Sequence, residues 1–306
     1  MPRHVLSMLD VERQVLGLLD RSGRVKAELR QGHTRSTLER CTLGMIFEKP
    51  STRTRVSFEV AMTQLGGRAL YLSPKDIQMG RGETIADTAR TLSRYCDALV
   101  YRAFDWRNVA ELAKHATVPV VNALDNREHP CQALADLLTI REHRGALEGQ
   151  KVAYVGDGNN VCNSLVLGAA IVGADISVGC PKSHRPDARL LKEARRIAAG
   201  KGSEVEVVER PADAVRGADV VYTDVWVSMG DEAEKAKRER LFAPYQVNAS
   251  LLAKAKRDAI VMHCLPAHRG LEITGSVIDG ERSVVFDQAE NRLHAQKGLL
   301  EWAIRG

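Results

Sequence analysis

The sequence is poor in aromatic residues and has no long apolar run. Phe, Trp and Tyr make up 5% of its 306 residues. No apolar stretch reaches the roughly 18 residues that a membrane-spanning helix needs, and the N-terminus has no apolar core of the kind that directs secretion. We therefore expect no membrane partner and a cytoplasmic location.

Charge of one sign is not concentrated anywhere in the chain. The formal net charge is +5, with acidic and basic residues interleaved. A basic tail, a Lys/Arg run or an alternation of aromatic and basic residues would indicate nucleic-acid binding, and none is present, so we expect no nucleic-acid partner. Arginines in specific turns of a mildly basic chain fit small anionic substrates better.

Several familiar motifs are also absent. The six cysteines form no Cys-x-x-Cys pair and show no zinc spacing, which predicts reduced thiols and no metal site. There is no P-loop, no His-Glu-x-x-His and no Gly-x-Ser-x-Gly. The Gly156-Asp-Gly-Asn-Asn160 turn has Val161 where a dinucleotide-binding motif needs its third glycine. We expect no cofactor.

What the sequence does contain is a regular alternation of apolar strands and amphipathic helices after two polar N-terminal helices near 10–20 and 22–31. This pattern predicts an α/β protein with two doubly wound domains, each a parallel sheet flanked by helices, joined by two interdomain helices. The predicted strands are 42–47, 68–72, 98–102, 118–122, 151–155, 175–179, 204–208, 218–223, 258–262 and 283–286. The predicted helices are 53–65, 84–94, 107–115, 131–144, 161–172, 187–199, 248–256 and 288–304.

The predicted domains follow from the same pattern. Residues 1–147 form the first domain and residues 148–287 the second. The last helix, 288–306, returns to the first domain.

The turn from Glu48 to Arg55 carries an unusual charge pattern. Pro50 and Ser51 suit a helix start, yet Lys49, Arg53 and Arg55 crowd the end of the helix where the dipole disfavours cations. The three cations make sense if they point at an anion together with the free helix N–H groups. We therefore favour a phosphate or carboxylate site over a solvated basic turn.

Polar side chains follow several other predicted strands, at the edge where parallel sheets bind ligands. Arg102 ends one strand and fits a rim salt bridge as well as a binding site. His129 precedes a helix and is either structural or a donor to a polarised carbonyl. Asp224 is either a cap on the following turn or a partner for a substrate ammonium group. Cys264 follows a buried strand, and a packing role for its thiol stays open.

Five segments together carry a family resemblance. They are Ser51-Thr-Arg-Thr-Arg55, His129-Pro-Cys-Gln132, Asp224-Val-Trp-Val-Ser-Met-Gly230, His263-Cys-Leu-Pro266 and Phe286-Asp-Gln-Ala-Glu-Asn-Arg-Leu-His294. From about residue 3 to the last helix, the chain resembles the aspartate/ornithine carbamoyltransferase family. The first segment marks the wider family, whereas the Asp224 and His263 segments point to its ornithine branch.

The resemblance implies a carbamoyl transfer from carbamoyl phosphate to the side-chain amine of L-ornithine, as in arginine biosynthesis or the urea cycle. The first domain then binds carbamoyl phosphate, and the second binds ornithine. The implied contacts of carbamoyl phosphate are Ser51, Thr52, Arg53, Thr54, Gln78, Arg102, His129, Pro130, Cys131, Gln132 and Arg292. Those of ornithine are Asn160, Asp224, Ser228, Met229, Cys264 and Leu265.

Further expectations concern chemistry and assembly. Arg53, Arg102, His129 and Cys264 are the implied catalytic residues, acting on direct amine attack with no covalent enzyme intermediate. The family builds trimers, so Gln78 is expected to reach the site of a neighbouring subunit of a homotrimer. The polar stretch 228–235 is expected to close over ornithine.

Other functions stay open at this point. A relative that carbamoylates acetylornithine or putrescine is one, although putrescine has no α-amino-acid end for Asp224 to bind. Aspartate is disfavoured because Gln78 and Arg81 stand where its enzymes are expected to bring a lysine. A non-catalytic binding protein or a dehydrogenase would be a different class, distinguished by turnover and by nicotinamide binding.

Overall fold

The computed structural model describes residues 2–73, 75–79, 82–227 and 234–306. Contacts between Cα atoms divide the chain into two compact units. Residues 1–138 and 290–306 form unit 1, and residues 139–289 form unit 2. Two helices therefore begin in one unit and end in the other: α5 (Pro130–Arg144) and α12 (Val285–Arg305).

Unit 1 contains a four-stranded parallel sheet in the order β2-β1-β3-β4. The strands are β1 (Thr42–Phe47), β2 (Arg68–Leu72), β3 (Ala98–Arg102) and β4 (Val120–Leu124). The helices are α1 (Val15–Arg30), α2 (Thr52–Gln64), α3 (Ile85–Leu92), α4 (Trp106–His115) and the parts of α5 and α12 in this unit.

The central strands of this sheet are continuous apolar runs because both faces are covered. All of β3 and nearly all of β1 are buried, whereas the edge strand β2 is partly exposed. Gly44 leaves room for neighbouring side chains beside β1, since a Cβ at that position would lie 2.9 Å from Leu99 Cδ2 and 3.1 Å from Cys96 Sγ.

Unit 2 contains a five-stranded parallel sheet in the order β7-β6-β5-β8-β9. The strands are β5 (Lys151–Val155), β6 (Asp175–Gly179), β7 (Val205–Val208), β8 (Val220–Thr223) and β9 (Ile260–His263). The helices are α6 (Asn160–Val172), α7 (Ala188–Lys201), α8 (Pro211–Val215), α9 (Lys235–Phe242), α10 (Ala249–Leu252) and α11 (Gly275–Ile278).

The predicted fold class is confirmed, and five strands have the predicted bounds. The strand predicted at 118–122 lies instead at 120–124, because Pro119 offers no N–H and ladder pairing begins at Val120. The prediction of a strand at 283–286 is wrong. Ser283 makes one isolated bridge to Val261, and the apolar residues after it start α12.

The N-terminus also differs from its prediction. Instead of two helices there is one short 3₁₀ turn, Met8–Val11, followed by the single helix α1. The Ser22 hydroxyl donates to Leu18 O at 2.7 Å within α1. Gly298 of α12 lies against this point, since a Cβ there would meet Ser22 Oγ at 2.5 Å. The sequence predicted a break near Ser22, but the helix continues there, where α1 packs against α12.

Two further expectations concern cysteines and membranes. All six cysteines are free thiols. Among the described residues, no helix combines the length and apolarity needed to cross a bilayer.

Candidate functional site

The turn between β1 and α2 leads into the N-terminus of α2. Ser51 is the N-cap residue, and its Oγ accepts the Thr54 N–H at 3.3 Å and lies 3.0 Å from Thr54 Oγ1. No acidic residue lies in the first turn of α2. Thr52 is exposed, Arg53 is partly buried and Thr54 is buried. The positive end of the α2 dipole is therefore not neutralised by an acidic residue in the first turn of the helix. This is expected where an external anion binds.

Two of the three cations in this turn have other contacts. Lys49 Nζ lies 4.7 Å from the centre of the Phe104 ring. The Arg55 guanidinium lies 3.9 Å from the centre of the Tyr71 ring, and its Nε donates to Glu59 at 2.9 Å. The expectation that all three cations point at one anion is therefore wrong for Arg55, because helical spacing turns it toward Glu59 one turn later. Arg53 is the cation of the first turn whose expected role is unaffected.

Arg292 of α12 joins two of the predicted site segments. Its Nη1 donates to Gln132 Oε1 at 2.7 Å and its Nη2 donates to Thr54 Oγ1 at 3.1 Å. All three side chains are buried. Gln132 Nε2 in turn donates to Asp136 Oδ1 at 2.8 Å. Three helices thus bring together residues that the sequence predicted as one site. Asp136 was not predicted, although it lies four residues after Gln132, a spacing that places two helical side chains side by side.

His129 is buried just before α5, and Arg102 is the buried last residue of β3. Burial, and then the charges of Arg292 and Arg102, hold the pKa of the His129 imidazole well below its ordinary value. The ring is therefore neutral at pH 7, with one nitrogen that donates and one that accepts. A neutral imidazole can donate to a carbonyl oxygen without giving up a proton.

Pro130 and Cys131 begin α5 and are both buried. The Cys131 thiol donates to Asn122 O at 3.4 Å, and burial raises its pKa to about 12. Cys131 is thus a neutral thiol that ties α5 to β4. A nucleophilic role would need a thiolate, which this environment opposes.

Glu48 is a residue that the sequence reasoning left without a role. Its Oε1 accepts the Tyr101 hydroxyl at 2.5 Å and its Oε2 accepts the Phe104 N–H at 2.6 Å. Its own N–H donates to Arg102 O at 2.9 Å. Glu48 thereby fastens the β1 terminus to the end of β3, and its position directly before the Ser51 turn was the available signal.

In unit 2, Asp224 lies buried after β8 and accepts bonds from two neighbouring segments. The Cys264 thiol donates to its Oδ1 at 2.9 Å, and Asn159 Nδ2 donates to its Oδ2 at 2.8 Å. Val225 N–H adds a bond to Oδ1 at 2.8 Å. The sequence named Asn160 here. Asn160 is the partly buried first residue of α6, whereas its neighbour Asn159 makes the contact with Asp224.

Two fully buried residues, His263 and Glu272, stabilise the turn that carries Cys264 and Leu265. Leu265 N–H donates to His263 Nδ1 at 2.9 Å, which leaves His263 Nε2 to donate to Glu272 Oε1 at 3.1 Å. Leu265 has φ +57 and a cis peptide bond to Pro266. The donor atoms of Asp224, His263 and Cys264 lie within 4.8 Å of one another, a spacing compatible with a metal ion. Both ring nitrogens of His263 already make hydrogen bonds, so neither is left to bind a metal ion. The arrangement therefore favours a hydrogen-bond network over a metal site.

Three predicted residues remain. Gln78 is exposed in the loop before α3. Ser228 and Met229, with most of the stretch expected to close over ornithine, lie outside the described residues, as does Arg81.

Known families match both halves of the chain. Residues 3–142 match the carbamoyl-P binding domain of aspartate/ornithine carbamoyltransferase, and residues 148–303 match its Asp/Orn binding domain. The chain belongs to the aspartate/ornithine carbamoyltransferase family. The predicted resemblance and the prediction of an enzyme are both confirmed by these matches.

Individual members of the family are similar over nearly the whole length. The ornithine carbamoyltransferase of Picrophilus torridus is 54% identical over 300 residues, 98% of each chain. The relative from Thermoplasma acidophilum, named ornithine carbamoyltransferase, catabolic, is 52% identical over 97% of each chain. The one from Pyrococcus furiosus, named anabolic, is 56% identical over 90% of this chain and 87% of its own.

Solved structures of the family have the same fold. The structure of ornithine carbamoyltransferase from Pyrococcus furiosus superimposes with a TM-score of 0.97 at 52% identity, covering 100% of this chain and 98% of that one. The structure from Gloeobacter violaceus gives a TM-score of 0.89 at 47% identity over 99% of each chain. The two parallel sheets described above are thus the family's architecture.

Proposed function

We propose that the protein transfers the carbamoyl group of carbamoyl phosphate to the side-chain amine of L-ornithine, giving L-citrulline and phosphate. The observation that carries the choice of an amino-acid acceptor is Asp224, a buried carboxylate bonded by Asn159 and by the Cys264 thiol. A buried carboxylate needs a cationic partner, and the α-ammonium group of an amino acid supplies one. The names of the relatives support the same acceptor.

Carbamoyl phosphate is assigned to the first domain. The phosphate would lie at the N-terminus of α2 against Ser51, Thr52, Arg53 and Thr54, where free helix N–H groups and a guanidinium favour an anion. The carbamoyl end would meet Arg102, His129 and Gln132, with Arg292 already bonded to Gln132 and Thr54. Pro130 and Cys131 would shape the wall of this pocket rather than react.

Ornithine is assigned to the second domain. Asn160, Asp224, Ser228 and Met229 would bind its α-amino and α-carboxylate groups. Cys264 and Leu265 would lie beside its side chain, on the turn that His263 and Glu272 hold. We place the functional boundaries at 147 and 287, with the last helix returning to the first domain.

The reaction we propose needs no covalent enzyme intermediate. The neutral side-chain amine attacks the carbonyl carbon of carbamoyl phosphate, a C–N bond forms, the C–O bond to phosphate breaks and the amine loses a proton. Holding the two reactants in place contributes up to about 7–11 kcal/mol in favourable cases. The described residues of the site offer donors and cations around the phosphate end, which is the equipment this reaction requires.

Charge develops on two oxygens as the amine attacks. Donors from Thr54, Arg102 and neutral His129 would stabilise the carbonyl oxygen, and each such donor typically changes turnover by about 10²–10³. Arg53 and the α2 N–H groups would stabilise the leaving phosphate. The proton of the amine would pass toward Cys264 and Asp224 or to the departing phosphate itself.

Assembly and setting complete the proposal. Gln78 is exposed in unit 1, which suits a residue that reaches the site of a neighbouring subunit in a homotrimer. We assign the reaction to arginine biosynthesis. Relatives carry both anabolic and catabolic names, so growth of an arginine auxotroph that carries this gene tests the setting separately from the chemistry.

The direct test of the function is a panel of amines. Purified protein and carbamoyl phosphate are incubated separately with L-ornithine, N-acetylornithine, putrescine and aspartate, and each carbamoylated product is measured. Rapid product with ornithine alone is the expected result. Faster product with another amine would keep the carbamoyl phosphate site and remove ornithine as the substrate, and folded protein without product in any well would refute the transfer reaction.

A further inference from the structure

Asn159 connects the start of α6 to Asp224. Its Oδ1 accepts the backbone N–H groups of Val161 at 3.0 Å and Cys162 at 3.1 Å, as an N-cap residue does. Its Nδ2 donates to Asp224 Oδ2 at 2.8 Å. One side chain therefore satisfies two helix N–H groups and also contacts the carboxylate at the end of β8.

The chemistry of its partners fixes which way this amide faces. Backbone N–H groups only donate, so the atom that meets them must be the amide oxygen. An ionised carboxylate only accepts, so the atom that meets Asp224 must be the amide nitrogen. The Tyr154 hydroxyl adds a third donor to Asn159 Oδ1 at 3.3 Å. A flipped amide would break the bonds to Val161, Cys162 and Asp224, whereas the Tyr154 hydroxyl could accept from the amide nitrogen instead.

Asp224 has little acceptor capacity left once its bonds are assigned. Its Oδ1 accepts Val225 N–H and the Cys264 thiol, at 2.8 and 2.9 Å. Its Oδ2 accepts Asn159. These are its donors among the residues that the structure describes, and a carboxylate has about four acceptor positions. The remaining position is on Oδ2, the oxygen that Asn159 contacts.

We propose that Asn159 is a positioning residue for the amino-acid substrate, which holds Asp224 Oδ2 so that its remaining lone pair receives the substrate's α-ammonium group. This inference rests on the proposed function, because it needs Asp224 to bind an ammonium. Asn159 itself need not touch the substrate. It prevents rotation of the carboxylate and, as a donor, stabilises its negative charge.

The consequence is a selective one. Without the Nδ2 donor, Asp224 must be ordered when ornithine binds, so the KM for ornithine rises. The carbamoyl phosphate residues, including Arg53 and Arg292, belong to unit 1 and share none of these hydrogen bonds. The affinity for carbamoyl phosphate therefore stays unchanged.

Two substitutions separate helix capping from positioning. Ser and Asp both cap helices about as well as Asn, so Asn159→Ser and Asn159→Asp keep the start of α6. Both remove the Nδ2 donor, and Asn159→Asp adds a negative charge facing Asp224. We expect both variants to melt near the wild-type temperature. The ornithine KM should rise roughly tenfold to a hundredfold in Asn159→Ser and further in Asn159→Asp.

The pH dependence of Asn159→Asp gives a signature that a purely structural role would not produce. Two facing carboxyl groups raise the pKa of one of them. Once that group is protonated, its O–H can donate to Asp224 in place of the lost amide. The ratio of the variant's ornithine KM to that of the wild type should therefore fall as the pH is lowered from 8 to 6, whereas the ratio for Asn159→Ser stays constant.

The outcomes distinguish this inference from the proposed function. Wild-type protein that does not use ornithine would overturn the function. A wild type that does use it, with an unchanged ornithine KM in both variants, would overturn only the role of Asn159. Lower melting temperatures with KM raised for both substrates would also overturn it, since Asn159 would then be only a structural cap.

Discussion

Arg292 and Gln132 are separated by 160 residues in sequence and joined by a 2.7 Å hydrogen bond from Nη1 to Oε1. Because a guanidinium only donates, the amide oxygen of Gln132 must face it, and the amide nitrogen is left for Asp136. The same guanidinium donates to Thr54. The carbamoyl phosphate site we propose is thus built from side chains of three helices.

Arg292→Lys should weaken carbamoyl phosphate binding without unfolding the protein. A lysine keeps the charge but cannot bond Gln132 and Thr54 together with the fixed fork of a guanidinium. We expect the carbamoyl phosphate KM to rise roughly tenfold to a hundredfold, and the ornithine KM to change little. Arg305→Lys, at the exposed end of the same helix, is the matched control. Wild-type KM values in Arg292→Lys would contradict the assignment.

Arg53→Ala and Arg102→Ala should each lower turnover by about 10²–10³ or more, because each removes a cation from developing charge. Arg55→Ala is a close control, since it lies two residues from Arg53 and contacts Tyr71 and Glu59 instead. Steady-state kinetics with circular dichroism of all three variants makes the comparison. Near-normal turnover in Arg53→Ala or Arg102→Ala, or an equal loss in Arg55→Ala, would count against the phosphate turn.

Cys264→Ala should mainly affect the use of ornithine, because it removes the thiol that donates to Asp224 Oδ1. Cys264→Ser keeps a donor at that position and should recover part of the loss. The measurement is the KM for each substrate, with Cys96→Ala as a buried thiol in unit 1 for comparison. If ornithine saturation is the same in Cys264→Ala and wild type, Cys264 is a packing residue.

Buried His294 should make the protein less stable as the pH falls. Burial lowers its pKa to about 4, whereas the unfolded chain takes up the proton near pH 6.5. The unfolded state then binds more protons, so the stabilisation is complete above about pH 6.5 and is lost toward pH 4, at up to about 1.4 kcal/mol per pH unit. His129 acts in the same direction because its pKa is also lowered.

Urea unfolding between pH 7 and 5 measures this effect. His294→Gln should reduce the pH slope of the free energy of unfolding by close to one proton. Equal slopes in His294→Gln and wild type would show that the native histidine is protonated along with the unfolded chain.

Continuous apolar runs made the central strands predictable, because strands buried on both faces leave few alternatives. The same rule failed at Val284-Val285-Phe286, an apolar triplet within which α12 begins at Val285. The prediction of two N-terminal helices failed for a different reason, because Gly298 packs against α1 at Ser22, where the sequence predicted a break. Both errors come from tertiary packing, which a local pattern does not contain.

The candidate site was predictable where a short sequence motif determines the local backbone structure. Ser51 caps α2 as its sequence indicated. Asn159 and Asn160 are chemically identical neighbours, and only the backbone of the turn decides which amide contacts Asp224. The spacing of four between Arg55 and Glu59 could have separated Arg55 from Arg53, whereas the contact of Arg55 with Tyr71, on a neighbouring strand, could not be read from the sequence. Contacts between distant segments are what the sequence did not reveal.

Carbamoyl transfer by direct amine attack is the central claim, and isotope exchange tests it most directly. The enzyme is mixed with carbamoyl phosphate labelled in its carbonyl carbon and with ³²P-labelled inorganic phosphate, with and without ornithine. We predict labelled citrulline only when ornithine is present, and without it neither ³²P in carbamoyl phosphate nor carbon label on the denatured protein. Exchange of phosphate or labelled protein without ornithine would contradict direct attack by revealing a carbamoyl-enzyme.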